Sequence, residues 1–152
     1  MKIRRVNLSD KKDLFIWRND EATIKMSLNS SSVSQITHNK WFENVLNDKY
    51  KILLIGEEDR IKISVVRFDI HINKNNAEIS INLKPNERGK KKSVGIICKS
   101  IMYFVKNNEY KIKTIIAKIS KQNNVSKSSF LKSGFEFSHS EKNIEFYKYF
   151  YK

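Results

Sequence analysis

The sequence predicts a mixed α/β domain, a mostly antiparallel central sheet flanked by helices, on three observations. Short runs rich in Ile and Val recur at strand length. Between Arg88 and Asn108 the apolar residues fall three and four apart, the period of a long amphipathic helix. The two patterns also interleave as strand, helices, three strands, long helix, strand, helix, strands, an order that packs as layers of helix on sheet.

Each element has its own signal. KIRRVN, residues 2–7, reads as the first strand, and Asp10 is a candidate cap for a short helical piece through Leu14, Phe15, Trp17 and Arg18. Ser34 or Thr37 opens a second helix, where His38, Trp41, Phe42, Val45 and Leu46 recur at helical spacing. KILLIG from Lys51, IKISVVRF from Ile61 and AEISINL from Ala77 follow as an antiparallel meander, separated by Glu57-Glu58-Asp59-Arg60 and by the polar stretch from His71 to Asn76. In the long helix the apolar stripe is Val94, Ile97, Cys98, Ile101, Met102, Phe104 and Val105. TIIAKIS from Thr114 is a strand, NVSKSSFLKS from Asn124 a helix stopped by Gly134, and FEFSH and NIEFYKYFY are closing strands.

With 152 residues, 39% of them hydrophobic, the chain is long enough for one complete core and too short for two ordinary domains, so a single domain over residues 1–152 is expected. Four glycines, one proline and no low-complexity stretch leave no linker to mark a boundary. Cys98 is the only cysteine, which excludes an intramolecular disulfide and a cysteine-rich zinc module, so no metal is expected. No uncharged apolar run has the length of a membrane span or signal peptide, and the reading is a cytoplasmic protein without a membrane partner.

The formal net charge of +14 admits nucleic acid, acidic membranes and phosphorylated small molecules as partners. Lysine dominates, however, with arginine only at Arg4, Arg5, Arg18, Arg60, Arg67 and Arg88, whereas base-edge readers favour the bidentate arginine fork. The lysines are spread along the chain and form no recognised nucleic-acid motif, so specific nucleic-acid binding is not expected. A basic module bound through salt-sensitive attraction is the alternative of a different class.

LKPNERGKKKSVG, residues 83–95, joins a strand to the long helix through Arg88, Gly89 and three consecutive lysines. A helix N-terminus presents unpaired N–H groups and about half a positive charge, which suits a phosphate. A solvated basic turn with no ligand would look the same by itself.

In order and spacing the chain resembles the GCN5-related N-acetyltransferase (GNAT) family from Lys2 to Phe135. The resemblance rests on WRND at Trp17–Asp20, HxxWF at His38–Phe42, VRFD at Val66–Asp69, AEISINLKPNERGK at Ala77–Lys90, and NxxSxxxFxxxGF at Asn123–Phe135. It implies the GNAT fold, acetyl-CoA as cosubstrate and an amine as acceptor. Its cofactor-binding residues would be Ile81, Asn82 and Leu83 on the strand, Arg88, Gly89, Lys90, Lys91, Lys92 and Ser93 in the pyrophosphate loop, and Asn123, Ser126 and Phe130 beyond it. The family's loop is R-x-x-G-x-G/A; here Lys91 stands where the first glycine is expected and Ser93 where the second is. Phe130 fills a position often held by a tyrosine that protonates the departing thiolate, and Asn123 reads equally as a helix cap.

The implied reaction is direct attack of a neutral amine on a thioester in one complex. Alternation along Ala77–Ile81 sets Glu78 and Ser80 opposite the apolar residues, making Glu78 the candidate base, or else an ordinary exposed carboxylate. Main-chain N–H groups near Ile79–Ile81 would polarise the acetyl carbonyl. WRND, the His38–Trp41–Phe42 face and VRFD look most like the branch acting on nucleotide-linked amino sugars in pseudaminic acid biosynthesis. On that reading Trp17, Arg18, His38, Trp41, Arg67 and Ser80 contact the substrate; core packing is the competing role for Trp17, His38 and Phe42. The alternatives are acetylation of protein N-termini and a silent domain that binds acetyl-CoA without catalysis. Tyr147, Tyr149 and Tyr151 alternate on the last strand, either toward the site, in the core, or on an edge where a homodimer forms.

Overall fold

The structure, a computed structural model, describes residues 1–151. Its seven-stranded sheet has the order β1-β2-β3-β4-β5-β7-β6. The strands are β1 (Lys2–Arg5), β2 (Lys51–Glu58), β3 (Ile61–His71), β4 (Asn76–Leu83), β5 (Thr114–Ser120), β6 (Glu136–Glu141) and β7 (Ile144–Phe150). Every pairing is antiparallel except β4 with β5. The helices are α1 (Lys11–Arg18), α2 (Glu21–Met26), α3 (Gln35–Asn47), α4 (Ser93–Asn107) and α5 (Asn124–Lys132).

Alternation along the strands makes two cores. Toward α4 and α5 lie Ile52, Leu54, Val66, Phe68, Ile79, Ile115 and Ala117, with Phe68 stacked on Phe104 of α4 at 4.4 Å between ring centroids. Toward α1 and α3 lie Leu53 and Ile55 of β2, packed with Leu14, Trp17, Phe42 and Val45. Of the two hydroxyl candidates for opening α3, Ser34 is the cap, accepting the Thr37 N–H at 3.2 Å.

Several expectations shift. The first strand ends at Arg5, because Asn7 caps a 3-10 turn at Leu8–Asp10 and Val6 is buried. Asp10 stands at the N-cap position of α1 but makes no side-chain bond into that helix: wholly buried, it accepts from Arg4 and from the Asn7 N–H, which closes a capping box on the 3-10 turn. The long helix starts at Ser93 and not at Arg88, since Pro85–Glu87 forms a separate 3-10 turn. Helix α2 was not anticipated; none of its six residues is buried, Ile24 is its one half-buried apolar side chain, and they give no apolar period, although Asp20 caps it through the Thr23 N–H. The tyrosine-bearing strand β7 lies inside the sheet between β5 and β6, so it is not an edge on which a dimer could form.

Gly134 does end α5 and does so in a positive-φ conformation, +94°. The Phe135 N–H reaches the Phe130 carbonyl at 3.1 Å and the Gly134 N–H reaches Leu131 at 3.1 Å, a Schellman cap with the Phe130 and Phe135 rings in edge contact at 4.9 Å. The FxxxGF spacing therefore has a purely structural use here. Phe130 is buried, with no polar atom to offer a site.

Candidate active site

Strand β4 is paired with β3 along its full length, from Asn76 to Leu83. On its other edge it meets β5 only from Asn76 to Ile79. From Ser80 to Leu83 that edge has no strand partner among the described residues: the β4–β5 register ends at Ile79 and Ala117, while β5 stays paired with β7 from Thr114 to Ser120. An open parallel edge of this kind offers main-chain donors and acceptors to an extended amide-bearing ligand.

Cross-strand register collects one polar face around the opening. Arg67 lies opposite Ser80, and Asp69 opposite Glu78. Glu78 lies opposite Ile116, which lies opposite Lys148, and Lys118 lies opposite Phe146. Directly opposed residues point to the same side of a sheet, so all of these face away from α4 and α5. Lys118 Nζ stands 2.9 Å from a Glu78 carboxylate oxygen, and Arg67 Nε 3.0 Å from Asp69. Ser80 is exposed, while Glu78 is half-buried.

The loop beyond β4 leads into α4. No backbone N–H from Gly89 through Gly95 donates to a protein acceptor among the described residues; the first helical bond is Ile96 N–H to the Lys92 carbonyl, 3.1 Å. Gly89 has φ +75° and Lys91 φ +57°, so the lysine adopts the left-handed conformation for which the family uses glycine. For a residue with a Cβ that conformation costs about 1–2 kcal/mol. The row of free N–H groups fits a diphosphate, and Lys91 supports it by adopting a left-handed conformation.

The loop's cations are unequally free. Glu87, buried in the 3-10 turn, accepts from Lys90 at 3.1 Å and from Lys92 at 2.8 Å, and Lys92 also pairs with Glu58 of β2. The Lys92 and Lys90 ammoniums hold the Glu87 carboxyl below its ordinary value. Lys91 alone of the three has no ion pair among the described residues. Arg88 directs its guanidinium to Asp20, at 2.6 Å, and to Thr23, at 2.5 Å. Its side chain thus braces the loop against α2, in place of the phosphate contact expected from the sequence.

Residues 1–136 match the family described as Acetyltransferase (GNAT) domain. This chain is a GNAT acetyltransferase. No curated protein sequence matches it. The fold is that of ribosomal-protein-alanine N-acetyltransferase from Brucella melitensis, with TM-score 0.80, 18% identity, and 99% of this chain and 100% of that one covered. Campylobacter jejuni N-acetyltransferase PseH, solved also with acetyl coenzyme A, superposes with TM-score 0.73 at 18% identity, covering 99% of each chain. Spermidine N-acetyltransferase from Vibrio cholerae, in complex with CoA and spermine, gives TM-score 0.80 at 12% identity, over 97% of this chain and 92% of that one. The acetyltransferase uses acetyl-CoA as cosubstrate, and no helix among its described residues is long and apolar enough to cross a membrane.

In the acetyltransferase the WRND segment is a frame. Trp17 is 3% exposed and spends its indole on packing against β2 and α3, so it is not available to stack on a substrate. Arg18 Nη2 donates to the Asn29 carbonyl at 3.1 Å. Asn19 closes the excursion between α1 and α3, donating to the Val33 carbonyl at 2.8 Å and accepting its N–H at 2.6 Å. Sequence reasoning assigned no role to Asp20; its signal was an aspartate three residues before Thr23 at a helix start.

His38 is likewise structural, 2% exposed among Phe15, Trp41 and Phe42, with Nε2 donating to the Lys11 carbonyl at 2.9 Å. Burial pushes its pKa down, and the Lys11 carbonyl bond only partly opposes this. The folded state therefore resists protonation while the unfolded chain titrates near pH 6.5, so stability should fall as pH drops below about 6.5 and level off beneath the folded value. Urea midpoints measured between pH 5 and 7.5 should show this slope in the wild type and not in His38→Gln. Trp41, half-buried beside His38, keeps part of its ring accessible.

Asn123 caps α5, its side-chain oxygen accepting the Ser126 N–H at 3.1 Å, which leaves the amide nitrogen for a ligand. Tyr147 is buried and its hydroxyl donates to Glu145 at 2.7 Å; burial and that bond push its pKa up to about 12. Tyr147, Tyr149 and Tyr151 all pack with the α4 and α5 core and point away from the polar face.

Proposed function

We infer that the acetyltransferase transfers the acetyl group directly to the primary amine of an anionic acceptor, best matched by a nucleotide-linked amino sugar. The observation that carries this reading is the charge of the face beside the open β4 edge. Lys51, Arg67, Lys118 and Lys148 outnumber Asp69, Glu78 and Glu136 there, on a chain of net charge +14. A polyamine would meet like charge across that surface, whereas phosphates would be attracted to it.

Acetyl-CoA supplies an activated thioester when bound. The N–H groups of Gly89–Gly95 hold the diphosphate, Lys91 adds an unpaired positive charge, and the edge from Ser80 to Leu83 receives the amide-bearing arm. Glu78 accepts the proton of the incoming ammonium, and Ser80 with Arg67 orients the acceptor. The Asn123 amide nitrogen adds a donor from α5. Phe130 has no proton to give, so no acid acts from that position.

Acetylation of protein N-termini is the second reading, favoured by the exposure of Ser80 and Lys118, which suits an extended peptide. A nucleic-acid module is disfavoured because Lys90 and Lys92 are already paired with carboxylates. Free-thiol release over UDP-linked amino sugars, peptide N-termini and spermidine tests the acceptor; turnover fastest with spermidine would overturn the charge argument. Ser93→Asp tests the cradle. A carboxylate in the first turn of α4 favours the helix by about 0.3–1 kcal/mol, so the melting temperature should not fall. Acetyl-CoA affinity should fall about 10–100-fold, a loss of about 1.4–2.8 kcal/mol; calorimetric titration reads it, and undiminished affinity would place the diphosphate elsewhere.

A further inference from the structure

We propose that Asp20 is a positioning residue that, through Arg88 and Thr23, couples the pyrophosphate loop to α2, so that acetyl-CoA binding orders this helix against the open stretch of β4. The inference rests on the cofactor site described above.

The excursion between α1 and α3 has almost no apolar anchor. None of the residues from Asn19 to Thr37 is buried, and α2 lies within this stretch. Its position is set by polar bonds. Asp20 accepts from Arg88 Nη1 at 2.6 Å and from the Thr23 N–H at 3.2 Å, and Thr23 Oγ1 accepts from Arg88 Nη2 at 2.5 Å. The Thr23 hydroxyl donates in turn to the Asn82 side-chain oxygen at 3.1 Å, and Asn82 Nδ2 donates to the Trp17 carbonyl at 3.2 Å.

Both ends of this chain of bonds lie on the cofactor side. Arg88 starts the loop whose following N–H groups are free, and Asn82 sits on the open stretch of β4. The loop residues Gly89 to Lys92 donate no backbone hydrogen bond, so a diphosphate would supply order the free protein lacks there. That order passes to Arg88 and from Arg88 to α2, because its two guanidinium nitrogens grip two groups of the α2 first turn at once. The same bond holds the Asp20 carboxyl below its ordinary value, keeping it charged for the guanidinium. Coupling of this kind is a free energy shared by two sites, commonly about 5–150-fold in affinity.

The experiment uses coenzyme A as the probe and amide hydrogen exchange of Glu21–Met26 as the readout. Saturating coenzyme A should slow exchange there about tenfold in the wild type. Asp20→Asn preserves a good helix cap but removes the charge, and Thr23→Val preserves shape but removes the shared hydroxyl. Both should bind coenzyme A yet lose most of the α2 protection. For the Asn variant, kcat with a working acceptor should fall, and coenzyme A affinity should weaken by no more than the lost coupling, about tenfold. A cap role alone would be rescued by asparagine and lost only in Asp20→Ala, so protection retained in both conservative variants overturns the proposal. Coenzyme A that binds the wild type without changing α2 exchange overturns it too, leaving the cofactor site standing. Failure of coenzyme A to bind the wild type at all removes both.

Discussion

Asp10→Ala is expected to lower the stability of the acetyltransferase by about 3–5 kcal/mol, the range for breaking a buried ion pair by deleting one partner. The carboxylate is 0% exposed and accepts from Arg4 Nη1 at 2.8 Å, Arg4 Nη2 at 3.0 Å and the Asn7 N–H at 2.9 Å, with Lys62 Nζ at 2.9 Å. Burial opposes ionisation, but the bonds from Arg4, Asn7 and Lys62 outweigh it and hold the carboxyl well below the usual carboxylate range. Deleting it leaves two half-buried cations, one from β1 and one from β3, facing each other, and Glu57 and Asp13 neutralise only their outer sides. Because the folded pKa is depressed, this contribution is complete above the unfolded carboxylate value near 3.9 and is lost as pH falls through the folded value. Urea unfolding at pH 7 measures the effect, and a loss below about 1 kcal/mol would mean that the surrounding cations find other partners.

That cluster also shows how far the sequence could be read. Strand and helix periods are legible because each buried face repeats at two or at 3.6 residues, and the meander and α4 follow from that, whereas α5, which buries only Phe130, is read from its glycine stop. Asp10 holds the cap position that an aspartate before a helical stretch suggests, but its carboxylate turns inward instead of bonding into α1. Nothing local announces that Arg4 and Lys62 will converge on it from two strands, 6 and 52 positions away in sequence by subtraction of the residue numbers. Helix α2 escaped for a related reason, since it is held by polar bonds to Arg88 and Asn82 and carries no apolar stripe.

The functional face divides in the same way. Alternation in β4 correctly set Glu78 and Ser80 on one side, and the register then brings Arg67 and Asp69 beside them. Trp17 and His38, which the resemblance sets at the substrate, take the competing role and are spent on the α1–α3 core, because an aromatic at helical spacing is first of all something to bury. The lysine run looked like three charges aimed at phosphate. Glu87 and Glu58, at positions that carried no signal, neutralise two of them. What remains of the cradle is mainly backbone, and a sequence of side chains states that only indirectly.

Glu78→Gln should reduce kcat about 10²–10⁴-fold, the usual contribution of a positioned general base, with acetyl-CoA affinity almost unchanged. Glutamine keeps the volume and can still accept a hydrogen bond from Lys118, which stands 2.9 Å from the carboxylate, so the sheet should not rearrange. The substitution removes only the ability to take a proton from an ammonium. Asp69 is the control, because it lies directly across from Glu78 on the same face yet is engaged by Arg67 at 3.0 Å. Asp69→Asn should cost less in single-turnover rate and more in acceptor KM, as Arg67 loses the partner that orients it. If the two variants exchange these signatures, the base is Asp69 and Glu78 orients; if neither lowers the single-turnover rate, the acceptor amine loses its proton to solvent before it reaches the open edge of β4.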